Sequence, residues 1–527
     1  LVFAEIPGIL WYNYTINVIR KEVSCYELYA YSKVNISVKH PLYGYAQQLT
    51  ALANNLSNAA RFRQRQLMTA AKKEPADWTA NEQEVMDELY TAFPEEFVDG
   101  PADRQGFLNV YGNLEKLMCR SENPDYFAEG FPRQCSQQVL KQAARDMKAF
   151  FESLKAYQKD PSAFTGKPQL PGYKRKGGHC TVTVTNQDCK VSEKDGMWYA
   201  AFPLRKDCPL AIGHPIPDAV LKEVTITLDN GRYRFCLKFE VMAELPPVTE
   251  QPGRVCAVDF GVDNLMAVTN NCGLPCLIYK GGVAKSINQK YNKTVAAMVS
   301  RQTAATGKKY VPDAAYHAVT NRRNDRIVDL LHKCAKHFIT WCVENRIDTI
   351  VLGVNKYWKQ EVTLGDDRNQ NFVQIPFLRL RRIISYLAEW NGIRCIEQEE
   401  SYTSKASFPD MDAIPVYQHG DDTKYRFSGK RRPSRYKGMY RKNGFRGLYK
   451  TGDGTVINSD LNGSANILRK ALPEAFNGRS LPDFNSVEII RHPDLLKAAA
   501  VRKSQLAANA SRPVSRSRQK RLNRKSA

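Results

Sequence analysis

Val255-Cys256-Ala257-Val258-Asp259-Phe260-Gly261-Val262-Asp263-Asn264 is the stretch on which the reading of this chain turns. Four apolar residues in a row suit a strand buried on both faces, and the acid that follows sits at its end. Two further acidic stretches lie downstream. One is Glu399-Glu400-Ser401-Tyr402-Thr403-Ser404; the other is Ile457-Asn458-Ser459-Asp460-Leu461-Asn462-Gly463-Ser464-Ala465-Asn466-Ile467. Acids on separate strands and a late helix can be gathered to hold two Mg²⁺ ions. Two such ions, roughly 3.5–4 Å apart, stabilise both the attacking and the leaving oxygen of a phosphodiester cleavage. On a strongly basic chain, that pattern points to a nuclease.

The chain has 527 residues, enough for two to four domains, and 43% hydrophobic content, enough for real cores. Its 77 Lys and Arg outnumber 54 Asp and Glu, for a net charge of +23. Such an excess neutralises phosphates and gains affinity through counterion release; a merely solvated basic surface is the plain alternative. No long basic amphipathic helix points to a membrane surface, and no run of about 20 apolar residues predicts a spanning helix. Thirteen cysteines, from Cys25 to Cys395, show no disulfide spacing, which fits a reducing, prokaryotic cytoplasm near the nucleoid. Cys272 and Cys276 form a close pair with no second pair or His cluster to complete a zinc site.

Outward from the opening stretch, strand 254–259 leads into a hairpin through Asn270-Asn271-Cys272-Gly273. Ile327, Leu330, Leu331, Cys334, Phe338, Trp341 and Cys342 mark a helix over 321–345. A buried strand, Asp348-Thr349-Ile350-Val351-Leu352, follows. Pro376 opens the next helix and Gly392 closes it, and Arg394-Cys395-Ile396 is a short strand. A hairpin followed by alternating strands and helices suits an RNase H-like fold. The half before it differs. Residues 1–33 carry no clear signal. Val34 to Val38 alternates like a strand, and residues 44–72 and about 80–158 read as helices. Strand-like alternation returns at Thr181–Val184, Val224–Leu228 and Tyr233–Val241, with Asp229-Asn230-Gly231 as a hairpin turn. Arg61, Arg63 and Arg65 suit either a solvated helix face or RNA contact. Tyr173, Lys174, Arg175 and Lys176 sit in a Pro/Gly-marked loop that suits a phosphate backbone.

Asp259-Phe260-Gly261 also matches a kinase magnesium motif, but no catalytic-loop pattern or glycine-rich phosphate loop accompanies it. An actin-like ATPase needs two RNase H-like lobes, and the sequence offers one. Around Asp460, the small residues Gly463, Ser464 and Ala465 let a helix lie close to a sheet, and Asn462 and Asn466 are candidates to bind ligand or orient water.

At this point several segments, in order, resemble TnpB (OrfB) proteins. Asp259-Phe260-Gly261-Val262-Asp263-Asn264-Leu265-Met266-Ala267 resembles their first RuvC motif, and Asp460 to Ile467 their third. Lys285–Gln289, Trp358–Glu361, Asn369–Val373 and Ser401–Lys405 fit as linking segments. The resemblance spans about 34–475. It implies an RNA-guided DNA endonuclease related to type V CRISPR effectors, with guide RNA and target DNA as partners and no membrane. The implied fold class is α+β multidomain: an N-terminal wedge-like β-barrel with a helical insertion, then an RNase H-like (RuvC) α/β nuclease. The expected organisation is an unassigned 1–33 and a barrel over 34–248 with its insertion at about 44–158. A first nuclease part at 249–400, an insert at 401–452 and a last nuclease part at 453–475 follow, then a disordered basic tail at 476–527.

Two departures stand out. The family's second acid closes an Ile-x-x-Glu pattern, and here that place is Gly353 in Ile350-Val351-Leu352-Gly353. Some relatives carry the acid on the neighbouring strand before a Thr-Ser pair, which gives the role to Glu400, with Glu361 in reserve. The catalytic and metal-binding set implied is Asp259, Glu400 and Asp460 with Mg²⁺, or Mn²⁺ in its place. If the acid is lost, a guided DNA-binding protein that does not cut is the alternative. The family's four-cysteine zinc finger is also missing, because 401–459 holds no cysteine. The insert is instead basic and aromatic: Lys430, Arg431, Arg432, Arg435 and Arg441 interleave with Tyr425, Phe427, Tyr436, Tyr440, Phe445 and Tyr449. Cations track phosphates and aromatic faces stack bases, at about 1–3 kcal/mol per base. The insert is therefore expected to load DNA without structural zinc.

Overall fold

The computed structural model describes residues 14–20, 26–241, 246–248, 252–354, 374–416 and 423–491. Glu361 and the segments Trp358–Glu361 and Asn369–Val373 fall outside these residues, as does the tail from Arg502. The chain divides into two units, residues 6–243 and residues 244–527 with a few N-terminal residues. It is a mixed α+β, multidomain protein. No helix among the described residues is long and apolar enough to cross a membrane, and their cysteines are all free.

The first unit combines strands β1 (Tyr14–Arg20), β2 (Tyr26–Ile36), β3 (Val182–Thr185), β4 (Lys190–Lys194), β5 (Met197–Phe202), β6 (Arg205–Gly213), β7 (Ala219–Asp229) and β8 (Arg232–Val241). Helices α1 (Tyr43–Ala70), α2 (Ala80–Ala92), α3 (Tyr111–Arg120) and α4 (Arg133–Lys159) are inserted between β2 and β3. The expected hairpin forms at β7–β8, where Asn230 (φ 47°) and Gly231 (φ 73°) supply the two left-handed residues of a type I′ turn. The expected second helical block is three helices. Its breaks hold Pro94, Gly100, Pro101, Pro124, Gly130 and Pro132, which end helices.

A closed barrel does not form among the described residues. β1-β2-β8-β7-β3 is one five-stranded antiparallel sheet, and β4-β5-β6 is another. β3 is four residues long and pairs on one side, with β7, so no ladder returns from β3 to β1. The strands β4–β6 pair among themselves instead.

The second unit is built on a six-stranded sheet. Its strands are β9 (Val255–Asp259), β10 (Asn264–Asn270), β11 (Cys276–Lys280), β12 (Thr349–Val354), β13 (Arg394–Glu399) and, well beyond the small insert strands, β19 (Val487–Ile490). The insert contributes β14 (Lys430–Arg431), β15 (Arg435–Tyr436), β16 (Met439–Tyr440), β17 (Leu448–Lys450) and β18 (Val456–Asn458). The order of the large sheet is β13-β12-β9-β10-β11-β19. β9, β10 and β11 run antiparallel, whereas β12 is parallel to β9 and β13 to β12. Helices α5 (Gly282–Thr306), α6 (Ala314–Glu344), α7 (Phe377–Trp390) and α8 (Ser459–Ala471) complete the unit. β19 corrects the expectation of a disordered tail beginning at 476: it pairs in parallel with β11, Ile278 opposite Ile489. Four residues without strong alternation do not announce a strand locally; an open sheet edge recruits them.

α8 packs on this sheet. Ile467 and Leu468 join Val255, Ala257 and Val351 in one core cluster, and Leu461 joins Ala267, Cys276 and Ile278 in another. Ser464 Oγ donates to the Ala257 carbonyl at 2.8 Å and accepts from the Thr269 amide at 3.1 Å. The close approach is visible at Gly463, where a Cβ would lie 2.7 Å from Asp259 Oδ2. A glycine here is what lets the helix reach the acid at the end of β9.

Candidate active site

Asp259, at the C-terminal end of the central strand β9, faces the first turn of α8. Asp460 sits in that turn, where the unpaired amides of a helix start favour an anion. The Asn458 side chain caps the helix, accepting from the amides of Asp460 (2.9 Å) and Leu461 (3.2 Å). Asp460 Oδ2 accepts from Asn264 Nδ2 at 2.7 Å, and Oδ1 accepts from Arg431 Nη2 at 3.3 Å and Ser459 Oγ at 3.2 Å. Asn264 Oδ1 in turn accepts from Lys280 Nζ at 2.8 Å.

Glu400 follows directly after β13, and its amide donates to the Val354 carbonyl at 3.2 Å. Its carboxylate lies over Gly353: a Cβ at that position would be 2.9 Å from Glu400 Oε2, 2.7 Å from Ile467 Cδ1 and 3.2 Å from the Val258 carbonyl. The space a side chain on β12 would fill is thus taken by the acid from β13. Glu399 turns elsewhere. It accepts from Lys470 Nζ at 2.8 Å and from the Ser401 amide at 2.6 Å, and Lys470 also donates to the Ser401 carbonyl at 3.0 Å. Lys470, on α8, therefore ties the turn that carries Glu400 to the helix that carries Asp460.

Asp259 lies close enough to the other two acids to feel both charges. Burial, then the charges of Glu400 and Asp460, hold the Asp259 carboxyl well above the usual carboxylate range, and Arg431 pulls the other way. Burial, then Glu399, pushes Glu400 up to about 7, against the pull of Arg381 and Lys470. Carboxylates held together at such a cost fit a divalent cation, whose charge would relieve both the burial and the repulsion. Among the described residues, no set of three ligating side chains is already drawn into a metal cage. Asp259, Glu400 and Asp460 are the groups that would hold one.

Asn462 and Asn466 do not face a ligand. Both are fully buried. Asn462 accepts from the Phe408 amide at 2.9 Å and donates to the Ala406 carbonyl at 2.8 Å. Asn466 donates to the carbonyls of Thr403 and Ala406. They hold the turn after Glu400 onto α8.

The insert is closed at its base by carboxylates that accept backbone amides. Asp412 accepts from the amides of Ser407 (2.8 Å) and Ser428 (3.0 Å), and Asp410 accepts from the Gly452 amide at 2.7 Å. Tyr449 is fully buried and donates to the Lys405 carbonyl at 2.8 Å. Above this base lies a cleft of about 830 Å³, lined by Lys430, Arg431, Arg432, Arg435, Lys442 and Arg446 among others. The interleaved aromatics separate into two kinds. Tyr449 and Phe445 are buried, and Tyr436 packs edge-on against Phe445 at 5.8 Å. Tyr440 is 66% exposed, and Arg441 stacks over Phe445 at 4.8 Å. Tyr440 is the more exposed of the insert's rings, ahead of Tyr425 at 37%, and offers a stacking surface.

In the first unit, Tyr173, Lys174, Arg175 and Lys176 are exposed. Their loop is pinned to α1: Asn54 donates to the Arg175 carbonyl (3.0 Å), Asn58 exchanges two bonds with Lys174, and Arg65 stacks over Tyr173 at 5.2 Å. Arg61 and Arg63 present no face to solvent or RNA. Arg61 pairs with Asp146 at 3.0 Å, and Arg63 grips Glu88 through Nε (2.7 Å) and Nη2 (2.6 Å).

Comparison with known proteins gives two matches in chain order. Residues 235–359 match the OrfB_IS605 probable-transposase family, and residues 377–467 match the Cas12f1-like TNB domain. No curated protein matches the chain. Among solved structures, it is similar to a Cas12f1–sgRNA–target DNA complex at 12% identity and TM-score 0.39, covering 78% of this chain and 82% of that one. It is similar to a CRISPR-Cas12f ternary complex at 10% identity and TM-score 0.27, covering 78% and 81%. It is also similar to Alicyclobacillus acidoterrestris C2c1 bound to single-guide RNA, at 8% identity and TM-score 0.31, covering 79% and 70%. The OrfB_IS605 match contains Asp259 and the TNB match contains Glu400 and Asp460, so the stretches that carry the three acids are the ones similar to TnpB-like transposases and to Cas12f1-type proteins.

Proposed function

We propose that this protein is an RNA-guided DNA endonuclease of the TnpB type, with an RNase H-like nuclease core. The observation that carries the reading is the convergence of Asp259, Glu400 and Asp460, close enough that two of them raise the third. The sheet order supports the fold: an antiparallel β9-β10-β11 run continued by parallel β12 and β13, with α8 across it. Guide RNA and target DNA are the proposed partners, in keeping with the net charge of +23 and the basic cleft of the insert. The helical insertion, the two sheets and the loop at 173–176 would bind RNA. Base pairing would read the target, and the protein a short adjacent motif.

Asp259, Glu400 and Asp460 would hold Mg²⁺ or Mn²⁺, which when bound supply an activated water and stabilise the leaving oxygen. The other steps belong to the chain. The cleft cations Lys430, Arg432, Arg435 and Lys442 hold the DNA backbone, and Tyr440 stacks a base. Arg431, paired with Asp460, stands between the cleft and the acids, where it can meet the scissile phosphate. Glu400, pushed up to about 7 by burial, would have to give its proton to solvent to serve as a ligand.

A second reading, a guided DNA-binding protein that does not cut, draws on one observation: the three acids are not drawn into a metal cage. The test is cleavage of matched DNA by the purified RNA–protein complex over a Mg²⁺ and Mn²⁺ series. The nuclease reading expects cutting that Asp259→Ala and Glu400→Gln each abolish while guided binding survives. Cutting by Asp259→Ala overturns the assignment of the site; tight guided binding with no product at any metal concentration establishes the second reading.

A further inference from the structure

We propose that Lys280 and Asn264 form a positioning relay that sets the Asp460 carboxylate for cation binding. The proposal rests on the nuclease reading above and names how one of its acids is held.

The two residues are cross-strand neighbours: Asn264 opens β10, Lys280 ends β11, and the two stand opposite one another in the antiparallel register. Residues directly opposite on a pair of strands share a face of the sheet. That face carries α8, and with it Asp460. Asn264 is 4% exposed, so few waters compete for its amide.

The chemistry of the three groups admits one arrangement. The Lys280 ammonium has donors and no acceptor, and the Asp460 carboxylate has acceptors and no donor. The Asn264 amide lies between them, 2.8 Å from the ammonium and 2.7 Å from the carboxylate. Its oxygen must face Lys280 and its NH₂ must face Asp460. Reversing it would set carbonyl against carboxylate and NH₂ against ammonium, losing both bonds. Lys280 thus chooses the orientation of Asn264, and Asn264 fixes Oδ2 of Asp460. Oδ1 is left to Arg431 and Ser459. Oδ1 is the oxygen whose charged partner, Arg431, is a half-exposed side chain from the insert. The relay therefore divides the carboxylate into a fixed oxygen and an exchangeable one, the latter passing between Arg431 and a cation. Gly281 makes the geometry possible at the strand end, since a Cβ there would strike the Val262 carbonyl.

A lysine that touches neither metal nor DNA acts here through one amide. Two measurements on the full chain test this. In the first, Mn²⁺ binding is measured by calorimetry, beside the Mg²⁺ dependence of cleavage. Lys280→Met and Asn264→Ala should each weaken Mn²⁺ binding about tenfold, the low end for groups that orient a metal ligand. The Mg²⁺ midpoint should rise in step, and the rate at saturating Mg²⁺ should largely recover. The double variant should match Asn264→Ala alone, and Lys280→Arg should restore most of the binding. In the second, denaturant melting of metal-free protein reads the coupling between Lys280→Met and Asp460→Ala, which should vanish in an Asn264→Ala background. Additive losses in the double variant, or coupling that persists without Asn264, overturn the relay and leave the nuclease reading in place. A wild-type chain that binds no Mn²⁺ and cuts nothing sinks the nuclease reading, and the melting cycle then decides the relay by itself.

Discussion

Substituting alanine for Gly353 tests whether Glu400 has taken the place of an acid on β12. The new methyl would stand 2.7 Å from Ile467 Cδ1, 2.9 Å from Glu400 Oε2 and 3.2 Å from the Val258 carbonyl. The carbonyl belongs to β9 and cannot retreat. Ile467 is fully buried in the cluster between α8 and the sheet, so shifting it disturbs close packing, at about 1–3 kcal/mol. The Glu400 carboxylate has the freest path, and reaching ordinary contact near 3.4 Å moves it by about half an ångström. A reacting group misplaced by about 1 Å can lose about 10²-fold in rate. Urea denaturation of the metal-free chain should show a loss of about 1–3 kcal/mol. Cleavage of matched DNA at saturating Mg²⁺ should fall between about ten- and a hundredfold. Adding Ile467→Val should recover stability by clearing one contact, and leave the cleavage defect, because Glu400 is still displaced. A Gly353→Ala protein with wild-type stability and wild-type cutting would refute the argument that Glu400 fills this space for function.

Three further predictions concern other parts of the molecule. Glu400 titrates near 7 when folded but near the ordinary value of about 4.3 when unfolded. Between those values the folded chain keeps a proton that the unfolded chain has lost. The Glu400 contribution to metal-free stability should therefore fall as pH rises from roughly 4.5 to 7 and be spent above; urea melts at stepped pH, compared between wild type and Glu400→Gln, should show this difference. Arg63→Ala should cost about 3–5 kcal/mol, because it strands the largely buried Glu88. Glu88→Gln should return part of that loss in melting experiments, and filter binding should show guide RNA affinity unchanged. Asp412→Ala removes the acceptor shared by Ser407 and Ser428, worth about 1–3 kcal/mol if their amides go unpaired. Limited proteolysis should then cut the insert faster, whereas zinc chelators should leave the wild-type digestion pattern as it is.

What could be read from the sequence was what local pattern controls. The apolar run ending in Asp259 has a strand's signature, and the Gly463-Ser464-Ala465 run announces a helix lying against a sheet. Pro376 and Gly392 bracket α7 because both act on the backbone of their own turn. What escaped was set by distance. Arg61 and Arg63 find their carboxylates 85 and 25 residues away, so their helix read as a basic face. Asn462 and Asn466 looked poised for a ligand because side-chain amides suit either task, and the turn they hold is more than 50 residues upstream. Tyr449 and Phe445 look the same in sequence as Tyr440, yet two are core and one is surface. The helix α5 has few buried positions, Ala284, Ile287 and Asn288, and so no strong apolar stripe to announce it.

The strand β19 changes how this protein can be shortened. The region matched to known families ends at residue 467, which invites trimming soon after α8 for a smaller reagent. A cut before Val487 would strip the outermost strand from β11 and bare a row of unpaired backbone groups beside Leu277, Ile278 and Tyr279, all buried in the intact chain. An exposed apolar edge of that kind is a template for intermolecular pairing. Trimmed versions ending before Ser486 are expected to precipitate or self-associate, and those keeping residues through Arg491 to stay dispersed.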